Sequence, residues 1–231
     1  MPTPHKNATL IKRGRPVNGA TRDAIIKVAT QLFMQQGLQR TTMDSIARAL
    51  NISKLTLYSR FPNKDALFTA VITAKCVQYI PDDVFENFGA QSLADDLFAI
   101  GHGLLRLLIS DDAMNMERML MGEARHKKNL TRLFYEAGPH RVKSQISHHL
   151  EALHEKGTLN VPDPILATHF FTSLFKGSDI CLRIAMQIPP KPTQTEIRDY
   201  CRKAVSMFIA AHQPIHKSGK PRSRKSPAWI S

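Results

Sequence analysis

The chain has 231 residues, 42% hydrophobic and 22% charged, which suits one large or two modest globular domains and excludes wholesale disorder. Its longest stretch free of Lys, Arg, Asp and Glu is residues 204–216, shorter than the roughly 20 residues of a membrane-spanning helix, so no membrane partner is expected. The N-terminus shows no signal peptide, and three scattered cysteines argue against a disulfide framework, so we predict a cytoplasmic protein.

The net charge of +13 is unevenly distributed along the chain. Residues 1–22 and 212–231 contain basic but no acidic residues, residues 23–68 have a basic excess, and residues 69–211 are neutral. This pattern favours a polyanion partner for the first third and a different role for the remainder. The alternative is that the basic termini only promote solubility.

The first third contains four amphipathic helical segments in succession. The first begins after Thr21, a predicted N-cap, and ends at Gly37. Thr42 is the predicted cap of the second helix. After a turn at Asn51, Ser53 is the predicted cap of the third, which runs from about Lys54 to Phe61 and ends at Pro62. A fourth helix, capped by Asn63, is predicted over residues 64–79.

The remainder of the chain has the same helical periodicity and no convincing strand pattern. Pro and Gly residues divide it into six predicted helices: 91–109, 111–124, 127–137, 139–156, 163–187 and 193–212. The basic, Pro- and Ser-rich segment 213–231 is predicted to be a disordered tail. We therefore expect an all-α fold.

Residues 42–60 match the helix-turn-helix unit, two short helices joined by a tight turn. In this unit the second helix enters the major groove of DNA while the first packs across it. Apolar residues would fix the angle between the helices, leaving Lys54, Thr56, Tyr58 and Ser59 to face outward. Such hydroxyl and amino groups bind phosphates and base edges. Taken alone, the pair is also compatible with an ordinary helical hairpin.

The amino-acid sequence of the segment TTMDSIARALNISKLTLYSRFPNKDALF is a more specific signal than the pair of short helices. It resembles the DNA-binding domain of TetR-type bacterial transcriptional regulators, and the resemblance covers roughly residues 18–78. It implies a three-helix DNA-binding domain at 18–79, preceded by a basic flexible arm at 1–17. It also implies a helical ligand-binding and dimerisation domain at 80–212, in a homodimer that represses transcription until a small molecule binds.

The resemblance also implies which residues contact DNA. The positions that match the family motif are Thr41, Thr42, Ser53, Lys54, Thr56, Leu57, Tyr58 and Lys64. Tyr58 and Lys64 resemble phosphate anchors, and Lys54 and Thr56 are better placed for bases. Asn51 replaces the usual turn glycine, which is acceptable because Asn tolerates a left-handed conformation. Leu55, Ser59 and Arg60 also depart from the family pattern, so the operator sequence cannot be borrowed from relatives.

Arg13 and Arg15 lie in the basic arm ahead of the first helix. Family members with such an arm insert it into the minor groove, where the negative potential favours arginine. The alternative for this segment is a solvated, disordered end.

The neutral body contains two groups of candidate residues. Dimer contacts are predicted on the last two helices, at Phe170, Leu174, Tyr200, Ala204 and Phe208, with an intramolecular core as the alternative. A cluster of methionines and nearby aromatic residues predicts a lipophilic ligand pocket, with ordinary core packing as its alternative. Its candidate residues are Phe98, His102, Met114, Met119, Phe134 and Phe171. The stretch ERMLMGEARHKKNLTRLFYEAGPHRV is also similar to the sensor domain of the AefR-like branch, which suggests a lipophilic ligand.

We expect no cofactor, no metal site and no enzymatic activity. His148, His149 and His154 share a predicted helix, but a solvated face explains them better than a zinc site with no further ligands. Phosphate-binding loops, nucleophile elbows and HExxH motifs are absent. The sequence predicts a ligand-responsive repressor, and the alternatives are a sequence-indifferent DNA-binding protein and a small-molecule carrier that no longer reads DNA.

Overall fold

The computed structural model of the chain describes residues 21–123 and 128–214, and within these ranges it is helical with no strand. The all-α prediction is therefore confirmed. The helices are α1 (Arg22–Arg40), α2 (Met43–Ala49), α3 (Lys54–Arg60), α4 (Lys64–Tyr79), α5 (Asp82–Glu86), α6 (Leu93–Leu108), α7 (Asp111–Glu123), α8 (Lys128–Tyr135), α9 (Arg141–Glu155), α10 (Pro164–Lys176), α11 (Asp179–Ala185) and α12 (Gln194–Ala211).

The N-terminal helices begin at the predicted caps. The Thr21 hydroxyl accepts a hydrogen bond from Ala24 N at 3.2 Å, and Asn63 Oδ1 accepts one from Ala66 N at 2.8 Å. Thr42 forms a reciprocal capping box with Ser45, each side chain accepting from the other backbone N–H at 3.0 Å. These bonds satisfy amide groups that a helix start would leave unpaired, which is why short polar residues fix the helix boundaries.

Gly37 interrupts α1 near its end, as the sequence predicts. Its φ of 80° and ψ of 158° are non-helical and belong to a region open almost only to glycine. The chain therefore bends between residues 36 and 38, and the Thr41 amide closes the bend by donating to the carbonyl of Gly37 at 3.2 Å.

Three features of the second half differ from the predicted helices. The short helix α5 was not predicted, and the single helix expected over 163–187 is two helices, α10 and α11. Ser178 causes this break: its hydroxyl donates to the carbonyl of Phe175 at 2.7 Å and caps α11 by accepting from Cys181 N at 3.2 Å. The break expected at Gly138–Pro139 is instead a π-helical turn, Glu136–His140, which runs into α9 and contains Pro139. A wider turn accommodates the proline, which has no N–H to donate.

The described residues of 1–79 and 109–141 form one compact unit. Helices α1 to α4 share a hydrophobic core in which the Phe33 and Phe68 rings meet edge to face, with centroids 6.1 Å apart. Met116, Leu120 and Leu130 of α7 and α8 belong to the same core. The predicted boundary at residue 79 stays a prediction, but the packing shows that the helix-turn-helix region and the described residues of 109–141 are one structural unit.

The described residues of 80–108 and 142–231 form the second unit. Helix α6 packs against α10 and α12. The Phe171 ring contacts the Phe175 and Phe208 rings, with centroids 5.1 and 5.0 Å apart. Gly101 permits this packing, since a Cβ at that position would lie 2.3 Å from the Phe175 ring.

Candidate nucleic-acid interface

Helices α2 and α3 form a helix-turn-helix whose angle is fixed by buried apolar side chains. Ile46 and Ala47 of α2 and Leu57 of α3 are buried in the core of the first unit. Asn51 makes the turn between the two helices with a φ of 52°, the left-handed conformation predicted for it. The opposite side of α3 is exposed and therefore accessible to a partner.

The outward side of α3 carries polar and charged groups. Lys54, Tyr58, Ser59 and Arg60 are exposed. Thr56 is half-buried, and its hydroxyl lies 2.8 Å from that of Ser53, which also accepts from the Thr56 amide at 3.0 Å. The predicted contact residues Ser53, Lys54, Thr56 and Tyr58 therefore lie together on one helix and its cap.

Lys54 is not a free cation in this structure. Its ammonium group lies 2.6 Å from the carboxylate of Asp44 on α2, and the two side chains are 67% and 46% exposed. An exposed pair of this kind contributes little to stability and exchanges its partner at low cost. A DNA phosphate or a base acceptor would therefore compete with Asp44 for Lys54.

Lys64 is partly buried and bound within the unit. Its ammonium group donates to the backbone carbonyls of Leu38 and Thr41, at 2.9 and 3.1 Å. These carbonyls follow the bend at Gly37, so Lys64 ties the start of α4 to the segment that leads into α2. This contact gives Lys64 a positioning role, and a phosphate contact stays a prediction.

Two residues of the predicted DNA-contacting set cannot reach DNA with their side chains. Leu57 is fully buried in the core of the first unit, so it supports the recognition helix from inside. Thr41 is also fully buried, and its hydroxyl donates to the carbonyl of Gly37 at 2.8 Å. Both belong to the matched family motif, which by itself does not separate supporting positions from contacting ones. Thr42 is exposed and caps α2.

Leu55 is a residue of this surface that the sequence prediction omitted. It is the most exposed large hydrophobic side chain among the described residues, with 80% of its surface accessible. Helical spacing could have identified it, because Leu55 and the buried Leu57 lie on opposite sides of α3. The predicted arm residues Arg13 and Arg15, and residues 215–231 of the predicted tail, lie outside the residues that the structure describes.

The predicted ligand-pocket residues are divided between the two units. Met114, Met119 and Phe134 belong to the first unit, where Met119 and Phe134 pack against the core of the helix-turn-helix region. Phe98, His102 and Phe171 belong to the second, and Phe171 is fully buried in its core. The structure thus supports the core-packing alternative for Met119, Phe134 and Phe171.

A cavity of about 340 Å³ lies in the first unit. It is lined by residues 35–40 at the end of α1 together with Met119 and Leu130. Met119 is the one predicted ligand residue in its lining. Polar side chains of α1 supply much of the wall, so its character differs from the lipophilic pocket that we predicted.

His102 has the most unusual environment of the six predicted ligand residues. Its Nε2 atom is buried without a hydrogen-bond partner, and its ring stacks on Phe98 with centroids 5.3 Å apart. Burial lowers the pKa of His102 below its usual 6.5, and the nearby positive charges of Arg106 and Arg198 lower it further. The imidazole is therefore neutral at pH 7.

The predicted dimer residues differ in their accessibility. Ala204 and Phe208 are buried in the second unit, at 5% and 3% exposure, so their inclusion in a dimer interface was wrong. The continuous stripe on α12 is the side that packs against α6 and α10. Tyr200 is half-buried and donates to the carbonyl of Leu174. Phe170 is 57% exposed and remains available to a partner.

Three further features of the described part of the chain concern metal-binding groups, reactive cysteines and membrane-spanning helices. Among residues 21–123 and 128–214 no group of three His, Cys, Asp or Glu side chains is placed to hold a metal ion. The cysteines of the described residues form no disulfide, and burial raises the pKa of Cys76 to about 11 and that of Cys201 to about 12. The described helices include none that is both long and apolar enough to cross a membrane.

A capped recognition helix that presents a cation and hydroxyl groups on a rigid helix-turn-helix defines a DNA-binding regulator of the helix-turn-helix class. The family model for bacterial regulatory proteins of the tetR family matches residues 25–71. The model for the C-terminal domain of AefR-like transcriptional repressors matches residues 95–214. The chain belongs to the TetR family of transcriptional regulators, with a C-terminal domain of the AefR-like type, as the sequence resemblance indicates.

Two curated relatives show the sequence similarity to this family. The chain is 26% identical over 132 residues to IcaR of Staphylococcus epidermidis, the negative transcriptional regulator of the biofilm operon icaADBC, a match covering 57% of this chain and 62% of the relative. It is 38% identical over 89 residues to the transcriptional repressor TetR of Mycobacteroides abscessus, covering 38% of this chain and 44% of the relative. The chain thus spans less than two thirds of these relatives.

Solved structures are matched over a greater length. The flavonoid-responsive regulator FrrA superposes with a TM-score of 0.64 at 30% identity, over 84% of this chain and 97% of FrrA. A TetR transcriptional regulator from Agrobacterium tumefaciens superposes with a TM-score of 0.63 at 26% identity, over 85% and 97% of the two chains. The two-part helical architecture is therefore that of the family.

Proposed function

We propose that this chain represses transcription as a homodimer bound to a two-fold symmetric operator, and that a small, largely apolar molecule releases it. The observation that carries the proposal is the exposed surface of α3. Its charged and hydroxyl side chains face outward from a helix that Leu57 anchors in the core. Repression is supported by the relatives, because IcaR and TetR are named as a negative regulator and a repressor.

The homodimer is supported by apolar surface on the second unit. Large hydrophobic side chains are exposed on α10, α11 and α12 and just after α11: Ile165, Leu166, Phe170, Leu182, Met186, Ile188 and Met207. Single exposed apolar residues need no explanation, but seven of them, five on three successive helices and two just after α11, suit a covered surface. A two-fold protein would in turn read a palindromic site.

The ligand is supported by His102 and Phe98. A buried imidazole nitrogen without a partner is costly, and a hydrogen-bonding group on a ligand would satisfy it. The stacked Phe98 ring lies beside it and would contact an apolar or aromatic portion of such a molecule. Because FrrA is a flavonoid-responsive regulator, flat aromatic molecules with hydroxyl groups are the first candidates for screening.

The decisive experiment is selection of bound fragments from random-sequence DNA, with the enriched sites retested over a range of salt concentrations. The proposal predicts a two-fold symmetric site, bound at least about 1,000-fold better than random DNA. Enrichment of nothing, with an affinity that falls equally for all sequences as salt rises, would favour the sequence-indifferent DNA-binding protein. Ligand binding without any DNA binding would favour the carrier.

Variants of α3 test the division of roles on the selected site. Tyr58→Phe removes a hydroxyl that suits a phosphate and should weaken operator and random DNA alike. Thr56→Val or Lys54→Ala should also change the preference at particular base pairs, by about 1–3 kcal/mol where a good base contact is lost. Equal losses on operator and random DNA for all three variants would contradict this assignment.

A further inference from the structure

The exposed leucine of the recognition helix, Leu55, belongs neither to the hydrophobic core of the first unit nor to the side chains packed against it. Leu55 is 80% exposed, more than any other large hydrophobic side chain in the described residues, and its immediate neighbours are Lys54 and Thr56. The anchoring of α3 is performed by Leu57, which is fully buried. A side chain that leaves its apolar surface in water gains free energy only when a partner covers it.

The position of Leu55 on α3 indicates which partner that is. At about 100° of rotation per residue, Leu55 lies roughly 160° around the helix from the buried Leu57. Ser59, one turn later, lies close to the same direction and is also exposed. Leu55 is therefore at the outermost edge of α3, the edge that would penetrate furthest into a major groove.

We propose that Leu55 is a specificity-determining residue that contacts the C5-methyl group of a thymine in each half of the operator. This proposal depends on the proposed function. The base edges of the major groove present donors and acceptors, and the thymine methyl is the apolar group among them. A leucine pressed against polar base edges would gain little, whereas one packed on a methyl group buries apolar surface on both partners.

The surrounding side chains make the contact selective. Lys54 and Tyr58 are exposed beside Leu55 and suit phosphates or polar base edges, so neither of them responds to the methyl group of thymine. The Thr56 hydroxyl is engaged with Ser53 at the helix cap. Leu55 is the exposed aliphatic side chain of α3, and it supplies recognition of the methyl group.

The test replaces thymine by uracil, which lacks only the methyl group. In the site obtained by selection, each thymine of the half-site is changed to deoxyuridine, one position at a time and symmetrically in both halves. Dissociation constants are measured for the wild type and for Leu55→Ala. We expect one thymine per half-site at which the wild type loses affinity by about fourfold per methyl group, the value for one buried methylene. Leu55→Ala should show no loss at that position.

Two controls isolate the contact from effects on folding. Leu55→Ala should leave the thermal unfolding transition unchanged, since the side chain is already in water. Met121→Ala removes a side chain that is 69% exposed on α7, outside the helix-turn-helix, and should keep the wild-type penalty at every uracil. The difference between Leu55→Ala and Met121→Ala then reports the methyl contact alone.

The outcomes separate this proposal from the one on which it depends. A selected operator that shows identical uracil penalties for the wild type and Leu55→Ala, or that has no thymine in its half-sites, overturns the assignment of Leu55 and leaves the regulator intact. Failure to select any symmetric site overturns the proposed function, and the Leu55 contact with it.

Discussion

Asp44 reduces the positive charge that α3 presents to DNA, because its carboxylate pairs with the ammonium group of Lys54 at a distance of 2.6 Å. Asp44→Asn should free Lys54 and tighten binding to operator and random DNA alike, by roughly two- to fivefold, the value of an exposed ion pair. Fluorescence anisotropy at several salt concentrations would measure this gain, which should shrink as salt rises. Asp23→Asn, at an exposed acid in the first turn of α1, is the matched control. If Asp23→Asn increased the affinity for DNA equally, the effect would come from the change in net charge and not from the release of Lys54.

Two histidines of the second unit make stability depend on pH. Burial lowers the pKa of His102 and of His149, with the His148 charge acting in the same direction on His149. Both bind protons more weakly in the folded state than in the unfolded state, where the pKa is near 6.5. The free energy of unfolding should therefore fall as the pH drops through about 6.5.

Urea denaturation of the wild type at pH 7.5, 6.5 and 5.5 would measure this fall. The double variant His102→Phe with His149→Phe should show a flatter profile, because it removes both groups. Phenylalanine at residue 149 can retain the stacking on Phe85 and Phe88. A double variant as sensitive to acid as the wild type would exclude these histidines as the cause.

At the scale of the element, the bend in α1 depends on one glycine. Gly37 has a φ of 80° and a ψ of 158°, although nothing lies within 4 Å of the place a Cβ would occupy. Gly37→Ala should therefore destabilise the protein by about 1–3 kcal/mol through backbone strain alone. Gly122→Ala on α7 is the matched control, with equally open space and no positive φ, and should stabilise by up to about 1 kcal/mol. Equal effects of the two substitutions on urea denaturation would contradict the strain argument.

The same bend connects the helix to the site. It leads to the carbonyls of Leu38 and Thr41 that bind Lys64, and to the Thr42 cap of α2. The elements of the first unit are thus joined by specific polar contacts as well as by their core. These contacts explain why motif residues such as Thr41 and Lys64 belong to the interior of the site.

At the scale of the whole molecule, dimerisation should depend on the exposed side chains of α10 and α12. Phe170→Glu combined with Met207→Glu should convert the proposed dimer to a monomer in sedimentation experiments, because charges replace apolar surface. Operator affinity should fall by about 100-fold or more, since two linked half-site contacts become independent, while affinity for a single half-site is retained. Met121→Glu on α7 is the control and should remain dimeric. A dimer that survives the double change would place the interface elsewhere.

Local chemistry determined much of this protein in the sequence itself. The caps Thr21, Thr42, Ser53 and Asn63 and the left-handed Asn51 occur where predicted, because a cap or turn depends on a residue and its near neighbours. Helical periodicity was sufficient to predict the all-α fold, and the amino-acid sequence of residues 41–68 was sufficient to predict the family.

Only the tertiary structure decided which side of each helix is covered. An apolar stripe looks the same whether its partner is the same chain or a second copy, so Ala204 and Phe208 were assigned to a dimer although α12 buries them in its own unit. Likewise, a family motif does not distinguish contacting from supporting positions, which is why Thr41 and Leu57 were misassigned and the exposed Leu55 was omitted. The sequence determines periodicity and caps through local interactions, whereas burial depends on contacts between segments distant in the chain.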